Sequence, residues 1–521
     1  MTERTASAPP ADQAQTSKIA TVLPSVLAGA VVCLGLIGVL RRPGLAGDEM
    51  WGAMHANLSL LQSLVFTLRY DLHPPIYYFQ LVVWSLPFRG DLWLLLNSVA
   101  WTALTAVLLA ARFRHRIGTL PLTAVCTCMV LSPLLAKYTI ELRMYSMLAC
   151  LSLASFLAAE RCINNRAQSS TAWTGYVLIN LLAIYSHAAG FLITLGAGSW
   201  LILALLKDDR FYRALFVNAG LALCSAPVFM LSLLKSVSHT TVPSLIQMAK
   251  TPLDIFIADT LLSGPVGFIA IPVAALLVLV VLSNPASRSV LLCGVFLPFL
   301  TCAAISVLAK PMWLARNFII VVPVFYFAVA RCLESTDGPA LSRRLFPLLL
   351  GMLLSFNLIA LPRSVERDTL ASKEVVREFS GFLEERDCVA VRSNVDIFWG
   401  FARYFGHPAS VNALVVQGPP ASERWVSVLE RLRESRARPA AEALGLLPTQ
   451  SDLILRDVLF SIGATEPRWP RESCNRWLVV RTFDTWREAG KAPELGAEHE
   501  RFLVSADRFA LYELTGDAAR R

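Results

Sequence analysis

Long apolar blocks alternate with short polar loops through about the first two thirds of the chain. A membrane-spanning helix needs about 20 predominantly apolar residues, and eleven blocks approach or reach that length. The pattern predicts a polytopic α-helical membrane protein with about 11 spans. The predicted spans are roughly 19–40, 91–111, 117–136, 144–160, 171–186, 189–206, 214–234, 262–283, 289–309, 316–332 and 344–361.

A further apolar stretch, 74–87, has only 14 residues between its two prolines and is too short to cross. We expect it to form a helix that lies in the membrane interface or re-enters, within a first outer loop 41–90. If the N-terminus is cytoplasmic and 74–87 does not cross, the basic loops all face the cytoplasm, as the positive-inside rule favours. Those loops are 112–116, 161–166, 207–213 and 343–344.

Both ends of the chain are polar. Residues 1–18 predict a disordered cytoplasmic tail, which leaves 19–361 as the membrane module. Residues 362–521 mix helical and strand patterns and predict a soluble α/β domain on the outer, periplasmic side. Its expected strands are Cys388–Arg392, Trp477–Arg481 and a hairpin of Arg501–Val504 with Phe509–Leu514; its expected helices are Lys373–Arg386, Ser422–Arg436 and Ser451–Phe460.

Composition excludes an ordinary soluble enzyme, because 55% of the 521 residues are hydrophobic and only 16% are charged. Residues 362–521 hold 23 basic and 24 acidic residues, against 24 and 14 in the first 361, so the net charge of +9 belongs to the apolar part. This distribution argues against nucleic-acid binding, which would need a basic soluble patch. It indicates positive-inside loops, anionic head groups or a phosphate ligand.

Cysteines give little functional signal. Most lie in apolar blocks and are expected to pack as small hydrophobic residues, with no zinc-site spacing. Cys388 and Cys474 in the C-terminal region can form a disulfide in the periplasm, or each can be a buried thiol.

Two adjacent carboxylates, Asp48 and Glu49, follow the first span. Near a low-dielectric surface a carboxylate gains pKa, which suits a general base, but a hydrated loop with a helix N-cap at Asp48 fits as well. Later in the loop, Asp71 and His73 precede a pair of prolines. Asp71 can cap a helix that begins there, and His73 can be a ligand, a base or a capping partner.

Three more polar segments lie at predicted outer span ends. The first segment contains Lys137, Glu141, Arg143 and Tyr145. The second contains Lys310 and Arg316, and the third contains Tyr185 and His187. Arginine suits bidentate phosphate recognition, although these cations can also snorkel to the membrane surface. His187 can be a ligand or a structural hydrogen-bonding residue. The predicted topology places all three segments on the outer face, where acids, histidine and cations would serve a transferase with a lipid-phosphate donor.

Taken together, these motifs resemble the glycosyltransferase C superfamily, near the protein O-mannosyltransferases, the lipid A aminoarabinose transferases and similar bacterial enzymes. The resemblance covers roughly 20–335. It rests on Asp48-Glu49, Asp71-Leu-His73-Pro-Pro, Glu141-Leu-Arg143-Met-Tyr145, Tyr185-Ser-His187 and Arg316 opening a span. The sequence departs at Asn317-Phe318, where relatives often have tyrosine after the arginine, and it lacks the lumenal β-trefoil domain of the eukaryotic enzymes.

The resemblance implies an inverting glycosyltransferase of the bacterial inner membrane, with a polyprenyl-phosphate sugar donor and a lipid, glycan or protein acceptor on the outer face. It implies Asp48 and Glu49 as catalytic residues. Substrate or acceptor binding would fall to Asp71, His73, Glu141, Tyr145 and His187, and donor phosphate binding to Lys137, Arg143, Lys310 and Arg316. No cofactor is required if these cations neutralise the phosphate, although grouped carboxylates leave a divalent metal open.

A second hypothesis is a transporter or flippase of a lipid-linked saccharide, in which the same cations bind a head group without chemistry. Transporters tend to place ionisable groups near the bilayer midplane and often contain inverted repeats. Here the charges lie at span ends and the sequence shows no repeat. These features favour the transferase.

Overall fold

The computed structural model describes residues 11–42, 44–45, 48–71, 73–164, 170–235, 267–308, 313–335, 340–365, 372–382, 388–392, 404, 477–482, 500–506 and 509–514. Helices α1–α11 cover Ala11–Leu40, Glu49–His55, Leu60–Tyr70, Ile76–Trp84, Asp91–Phe113, Thr119–Val130, Pro133–Thr139, Tyr145–Asn164, Ser170–Ile184, Gly190–Ala204 and Phe211–Lys235. Helices α12–α17 cover Gly267–Ser283, Pro285–Leu291, Leu297–Leu308, Val321–Glu334, Ala340–Val365 and Ser372–Ser380, with a π-helix at Leu292–Phe296 and a 3₁₀-helix at Ala315–Ile320.

Each of the predicted spans contains a helix, but the helices differ in length. Within the described ranges, six helical segments are long and apolar enough to cross a membrane, and a seventh is added if α6 and α7, bent by 68°, form one broken span. Helices α9 and α10 have 15 residues each, fewer than the 20 or so that a straight span needs. The chain is therefore a multi-pass helical membrane protein, and the total of 11 spans stays a prediction.

Helix α4 occupies most of the stretch 74–87. It has nine residues, too few to cross a bilayer, as expected from the sequence. Its last residue, Trp84, and Trp93 of α5 each donate an indole N–H to the other's carbonyl oxygen, at 2.9 and 2.8 Å. Tryptophan pairs of this kind suit a membrane interface, and this one ties the end of α4 to the start of α5.

Helix α1 begins at Ala11, so it includes residues 11–18, which the sequence pattern assigned to a disordered tail. Those residues contain alanine and glutamine, which are good helix formers, and they run directly into the first apolar block. The helix therefore extends beyond the apolar block itself.

The chain divides into two compact units, which are described separately. The first contains 1–38, 98–230 and 239–367, and the second contains 39–97, 231–238 and 368–521. The first outer loop thus groups with the C-terminal region, whereas the sequence pattern placed 41–90 in the membrane module 19–361. Its contacts explain the difference, since Tyr404 hydrogen-bonds to Leu45 and Asp91 within the second unit.

Helix α15 lies at the centre of the first unit. Together with the 3₁₀-helix before it, it forms the segment Ala315–Glu334, which is mostly buried, whereas the apolar side chains of α11 are mostly exposed and suited to lipid. An ion-pair cluster joins the C-terminal ends of α5, α8 and α15: Glu160 accepts from Arg112 and Arg331, and Glu334 pairs with Arg112 and Arg116. These three helix ends therefore lie together. The predicted topology also places the loops after these helices on one side of the membrane, the cytoplasmic side.

A four-stranded sheet lies in the second unit, in the order β1-β2-β4-β3. Strands β1 Cys388–Arg392 and β2 Trp477–Thr482 are parallel, and β4 Phe509–Leu514 is antiparallel to both β2 and β3 Glu500–Ala506. All four strands were predicted, and α17 covers much of the predicted helix 373–386. The predicted helices 422–436 and 451–460, and Cys474, lie outside the described residues.

Candidate functional site

The first outer loop begins with a short loop, Arg42–Glu49. An ion pair closes this short loop between Arg42, just after α1, and Glu49, the first residue of α2. The guanidinium Nη1 and Nη2 donate to Oε1 and Oε2 at 3.0 and 2.5 Å, and the Glu49 side chain is fully buried. A bidentate arginine–carboxylate pair is strong and specific in geometry. Glu49 is therefore held by Arg42 and ties the two ends of the loop together.

Asp48 lies inside this closed loop and differs from Glu49 in its surroundings. It occupies the N-cap position of α2 with helical backbone angles, but its side chain makes no capping hydrogen bond. The residue is exposed, whereas its neighbour is buried. The structure thus orients two adjacent carboxylates differently: Glu49 into the protein and Asp48 outward.

Asp71 joins α3 to α4. Its Oδ1 accepts from the backbone N–H of His73 at 2.8 Å, and its Oδ2 accepts from the hydroxyl of Tyr78 in a short hydrogen bond. Asp71 is buried. These bonds fix the turn at the proline pair. Asp71 does not cap α4 as the sequence suggested, because the N-cap residue of α4 is Pro75 and no side chain caps it.

His55 is a site residue that the sequence motifs missed. Its fully buried ring stacks on Tyr78 with centroids 3.8 Å apart, and its Nδ1 is 2.8 Å from the Ser63 hydroxyl. Burial lowers the pKa of His55 to about 4, although the Asp71 charge opposes this shift. The ring is therefore neutral at neutral pH and packs α2 against α3 and α4.

In the first unit, the segment 137–145 turns between α7 and α8. The Ser98 hydroxyl donates to the carbonyl of Glu141, as does the backbone N–H of Arg143 at 2.8 Å. Both Glu141 and Arg143 are buried. The charges of Glu141, Arg143 and Arg316 act on the Tyr138 phenol, and the Tyr145 ring contacts the Tyr138 ring, so these four predicted residues lie in the neighbourhood of Tyr138.

His187 adjoins this group through aromatic contacts. The Tyr145 ring is 4.4 Å from the Tyr138 ring and 5.6 Å from the His187 ring, measured between centroids. His187 is buried and its Nδ1 accepts from the backbone N–H of Ala189 at 2.9 Å, so a neutral ring carries its proton on Nε2. Tyr185, from the same motif, instead donates its hydroxyl to the carbonyl of Cys224 at 3.2 Å.

The predicted phosphate-binding cations have different environments. Arg143 is buried with its Cζ 5.8 Å from the Tyr145 centroid, whereas Lys137 is exposed with its Nζ 5.7 Å from the Tyr138 centroid. Arg316 is half-buried in the 3₁₀-helix before α15. Lys310 lies outside the described residues. Three of the four cations therefore lie at or near the Tyr138 group.

The predicted site residues fall into the two units. Asp48, Glu49, Asp71 and His73 belong to the second unit, and Lys137, Glu141, Arg143, Tyr145, His187 and Arg316 belong to the first. Within the part of the chain that the structure describes, no three His, Cys, Asp or Glu side chains are grouped so that they could hold a metal ion.

No protein-family model matches the chain, and no curated protein sequence does. Among solved structures, ArnT from Cupriavidus metallidurans bound to undecaprenyl phosphate is 15% identical over 94% of this chain and 98% of that chain, with a TM-score of 0.50. The apo state of the same protein matches at 13% identity over the same shares, with a TM-score of 0.49. Arabinofuranosyltransferase AftD from Mycobacteria is 14% identical over 95% of this chain but 40% of that chain, with a TM-score of 0.45.

The chain therefore shares the fold of ArnT, and the resemblance seen in the sequence is confirmed at the level of the fold. The roles of individual residues in this fold stay predictions, because fold likeness does not assign side-chain chemistry.

The structure adds four residues to those that the sequence motifs indicated: Arg42, His55, Tyr138 and Tyr404. Two carried a local signal, since Arg42 lies seven residues before Glu49 and Tyr138 lies within the Lys137–Tyr145 motif. His55 belongs to no motif seen in the sequence, although its partner Ser63 is only eight residues away. Tyr404 carried no local signal, because it bonds to Leu45, 359 residues away.

Proposed function

We propose that the chain is an integral-membrane, inverting glycosyltransferase that moves a sugar from a polyprenyl phosphate to an acceptor on the outer face of the membrane. The observation that carries the proposal is the fold shared with ArnT bound to undecaprenyl phosphate, which spans almost the whole of both chains. The bacterial inner membrane as location, with the C-terminal region on its periplasmic side, belongs to the same proposal.

In the proposed reaction, Asp48 is the general base. Its carboxylate accepts the proton of an acceptor hydroxyl while that oxygen forms a bond to the anomeric carbon of the donor sugar. The bond from the anomeric carbon to the phosphate oxygen breaks on the opposite side, and the bonding pair leaves with the polyprenyl phosphate. The exposure of Asp48 supports this role, because an acceptor can reach the residue.

Glu49 has a different role in this proposal. Its carboxylate is fully buried and bound at both oxygens by Arg42, so it positions the loop that carries Asp48. Each carboxylate oxygen of Asp71 likewise accepts a hydrogen bond, and these bonds hold the turn that contains His73. We propose His73 and Glu141 as contacts for the acceptor or the sugar, together with Tyr145 and His187.

Arg143 and Arg316 would neutralise the phosphate as negative charge develops on the leaving oxygen, and we propose the same role for Lys137 and Lys310. Both arginines interact with Tyr138, and Arg143 is buried, where a fixed cation acts more strongly than in water. A well-placed donor of this kind is worth a few kcal/mol in the transition state. The proposed reaction needs no metal ion if these cations carry the charge, and a divalent ion remains a variable to test.

The test is a transfer assay with the purified full chain in lipid and a panel of polyprenyl-phosphate sugars. Asp48→Asn should lose activity by about 100-fold or more, since base catalysis contributes about 10²–10⁴-fold, while folding is retained. Asp209→Asn, an exposed aspartate in the loop after α10, is the matched control and should transfer normally. Near-normal turnover by Asp48→Asn would overturn the role of Asp48, and translocation of the lipid-linked sugar without transfer would support the flippase instead.

A further inference from the structure

Tyr404 is a described residue of the C-terminal region that reaches the first outer loop. Its hydroxyl accepts from the backbone N–H of Leu45 at 2.7 Å and donates to Oδ2 of Asp91 at 2.8 Å. A tyrosine hydroxyl has one proton to donate and lone pairs to accept, so this single group serves both bonds. Leu45 is fully buried, and Asp91 is the first residue of α5.

The bond to Leu45 falls inside the loop that Arg42 and Glu49 close. Leu45 lies three residues after Arg42 and three before Asp48, so the loop is fixed at its two ends by the ion pair and near its middle by Tyr404. Without the hydroxyl, the segment between Arg42 and Asp48 would lose a backbone anchor while the ion pair stayed intact. The anchor therefore acts on the position of Asp48 more than on the closure of the loop.

We propose that Tyr404 is a positioning residue: its hydroxyl holds the loop Arg42–Glu49, and with it Asp48, in the geometry that sugar transfer requires. The inference rests on the proposed function. It also gives the C-terminal region a defined part in the reaction: by holding the loop Arg42–Glu49 in place, this region would control the rate of sugar transfer. A misplacement of a catalytic group by about 1 Å can cost on the order of 100-fold in rate, so a loop anchor can control turnover without touching substrate.

The test compares wild type, Tyr404→Phe and Tyr212→Phe as full chains in lipid nanodiscs. Tyr404→Phe keeps the ring and removes both hydrogen bonds, and Tyr212, which is exposed on α11, serves as the matched control. Three quantities are measured: amide hydrogen exchange in peptides covering Leu45, kcat and KM for the donor, and thermal unfolding. Exchange does not depend on activity.

In Tyr404→Phe we expect faster exchange at Leu45 and a kcat lower by about 10- to 100-fold. The KM for the donor should stay close to wild type, because the variant alters the loop and not the phosphate-binding cations. The unfolding temperature should fall by a few degrees, because the buried Leu45 N–H loses its partner. Tyr212→Phe should match wild type in all three. A purely structural role would lower the unfolding temperature alone and leave the kcat of the folded enzyme unchanged.

Unchanged exchange at Leu45 in Tyr404→Phe would overturn the inference, since the hydroxyl would not be holding the loop. Faster exchange with an unchanged kcat would also overturn it, because the loop would be held without effect on transfer. If wild type transfers no sugar from any donor in the panel, the proposed function fails. The exchange comparison would still show whether Tyr404 holds the loop.

Discussion

Both carboxylate oxygens of Glu49 are bound by the guanidinium of Arg42, and the pair bridges the two ends of the loop that carries Asp48. The Glu49 side chain is fully buried and the Arg42 side chain nearly so. The cost of breaking such a pair is dominated by the charge left behind without its partner. The pair can therefore be tested by removing one partner and then both.

Arg42→Met should destabilise the protein by about 3–5 kcal/mol, because it strands the buried carboxylate of Glu49. The double variant Arg42→Met/Glu49→Leu should recover most of that loss, since no buried charge remains. Denaturant unfolding of the two single variants and the double variant in detergent gives the coupling free energy. Additive effects, with no recovery in the double variant, would mean that the two side chains are not coupled in the folded protein.

His55 predicts a pH dependence of stability. Burial lowers its folded pKa to about 4 from the unfolded value of 6.5, so the unfolded state binds the proton more readily between these values. Its contribution to stability is therefore present above about pH 6.5 and is lost as the pH falls toward 4. A shift of this size corresponds to about 3 kcal/mol.

Replacing His55 by phenylalanine keeps an aromatic ring against Tyr78 and removes the titrating group. Unfolding free energies measured from pH 7 to pH 4 should fall less steeply for His55→Phe than for wild type. His115→Phe, at an exposed histidine in the loop after α5, should retain the wild-type slope. Identical slopes for His55→Phe and wild type would contradict the burial-driven shift.

The sequence predicted those parts of the fold and site that depend on local patterns. Short apolar runs bounded by polar residues were enough for β1 and β2, and the β3–β4 hairpin was also predicted. The short apolar stretch before α5 contains a helix of nine residues, as expected. Motif order led to Asp48 and Arg143 as candidate site residues, and their roles stay predictions. The pattern could not show that Glu49 is bound by Arg42 or that Tyr404 anchors Leu45, because side-chain pairing across a loop or across 359 residues leaves no periodic signal.

Glu160 should be important for the stability of the first unit. Its carboxylate accepts from Arg112 at 2.5 Å and 2.7 Å and from Arg331 at 2.6 Å, joining α5, α8 and α15. Glu160→Gln should cost about 2–3 kcal/mol, the usual range for losing hydrogen bonds to a charged, partly buried group. Arg116→Gln, at the exposed edge of the same cluster, should cost less than about 1 kcal/mol. Equal losses in the two variants would contradict the central position of Glu160.

Gly198 in α10 lets α11 approach closely, and this gives a prediction with a matched control. A Cβ at position 198 would overlap the Asn218 side chain, whose Cγ would be 2.8 Å away, and would displace the amide that accepts from Tyr176 at 2.8 Å. Because the Tyr176 hydroxyl would lose that partner in a buried position, Gly198→Ala should destabilise by about 2 kcal/mol or more.

At Gly220 in α11, by contrast, nothing lies within 4 Å of an added Cβ. Gly220→Ala should leave stability unchanged or raise it by up to about 1 kcal/mol, because alanine favours the helix more than glycine does. Comparing the thermal unfolding of the two variants separates close helix packing from helix propensity, since the same substitution is made in two neighbouring helices. If both variants shift the unfolding temperature alike, α10 and α11 do not pack at Gly198 as closely as the structure shows.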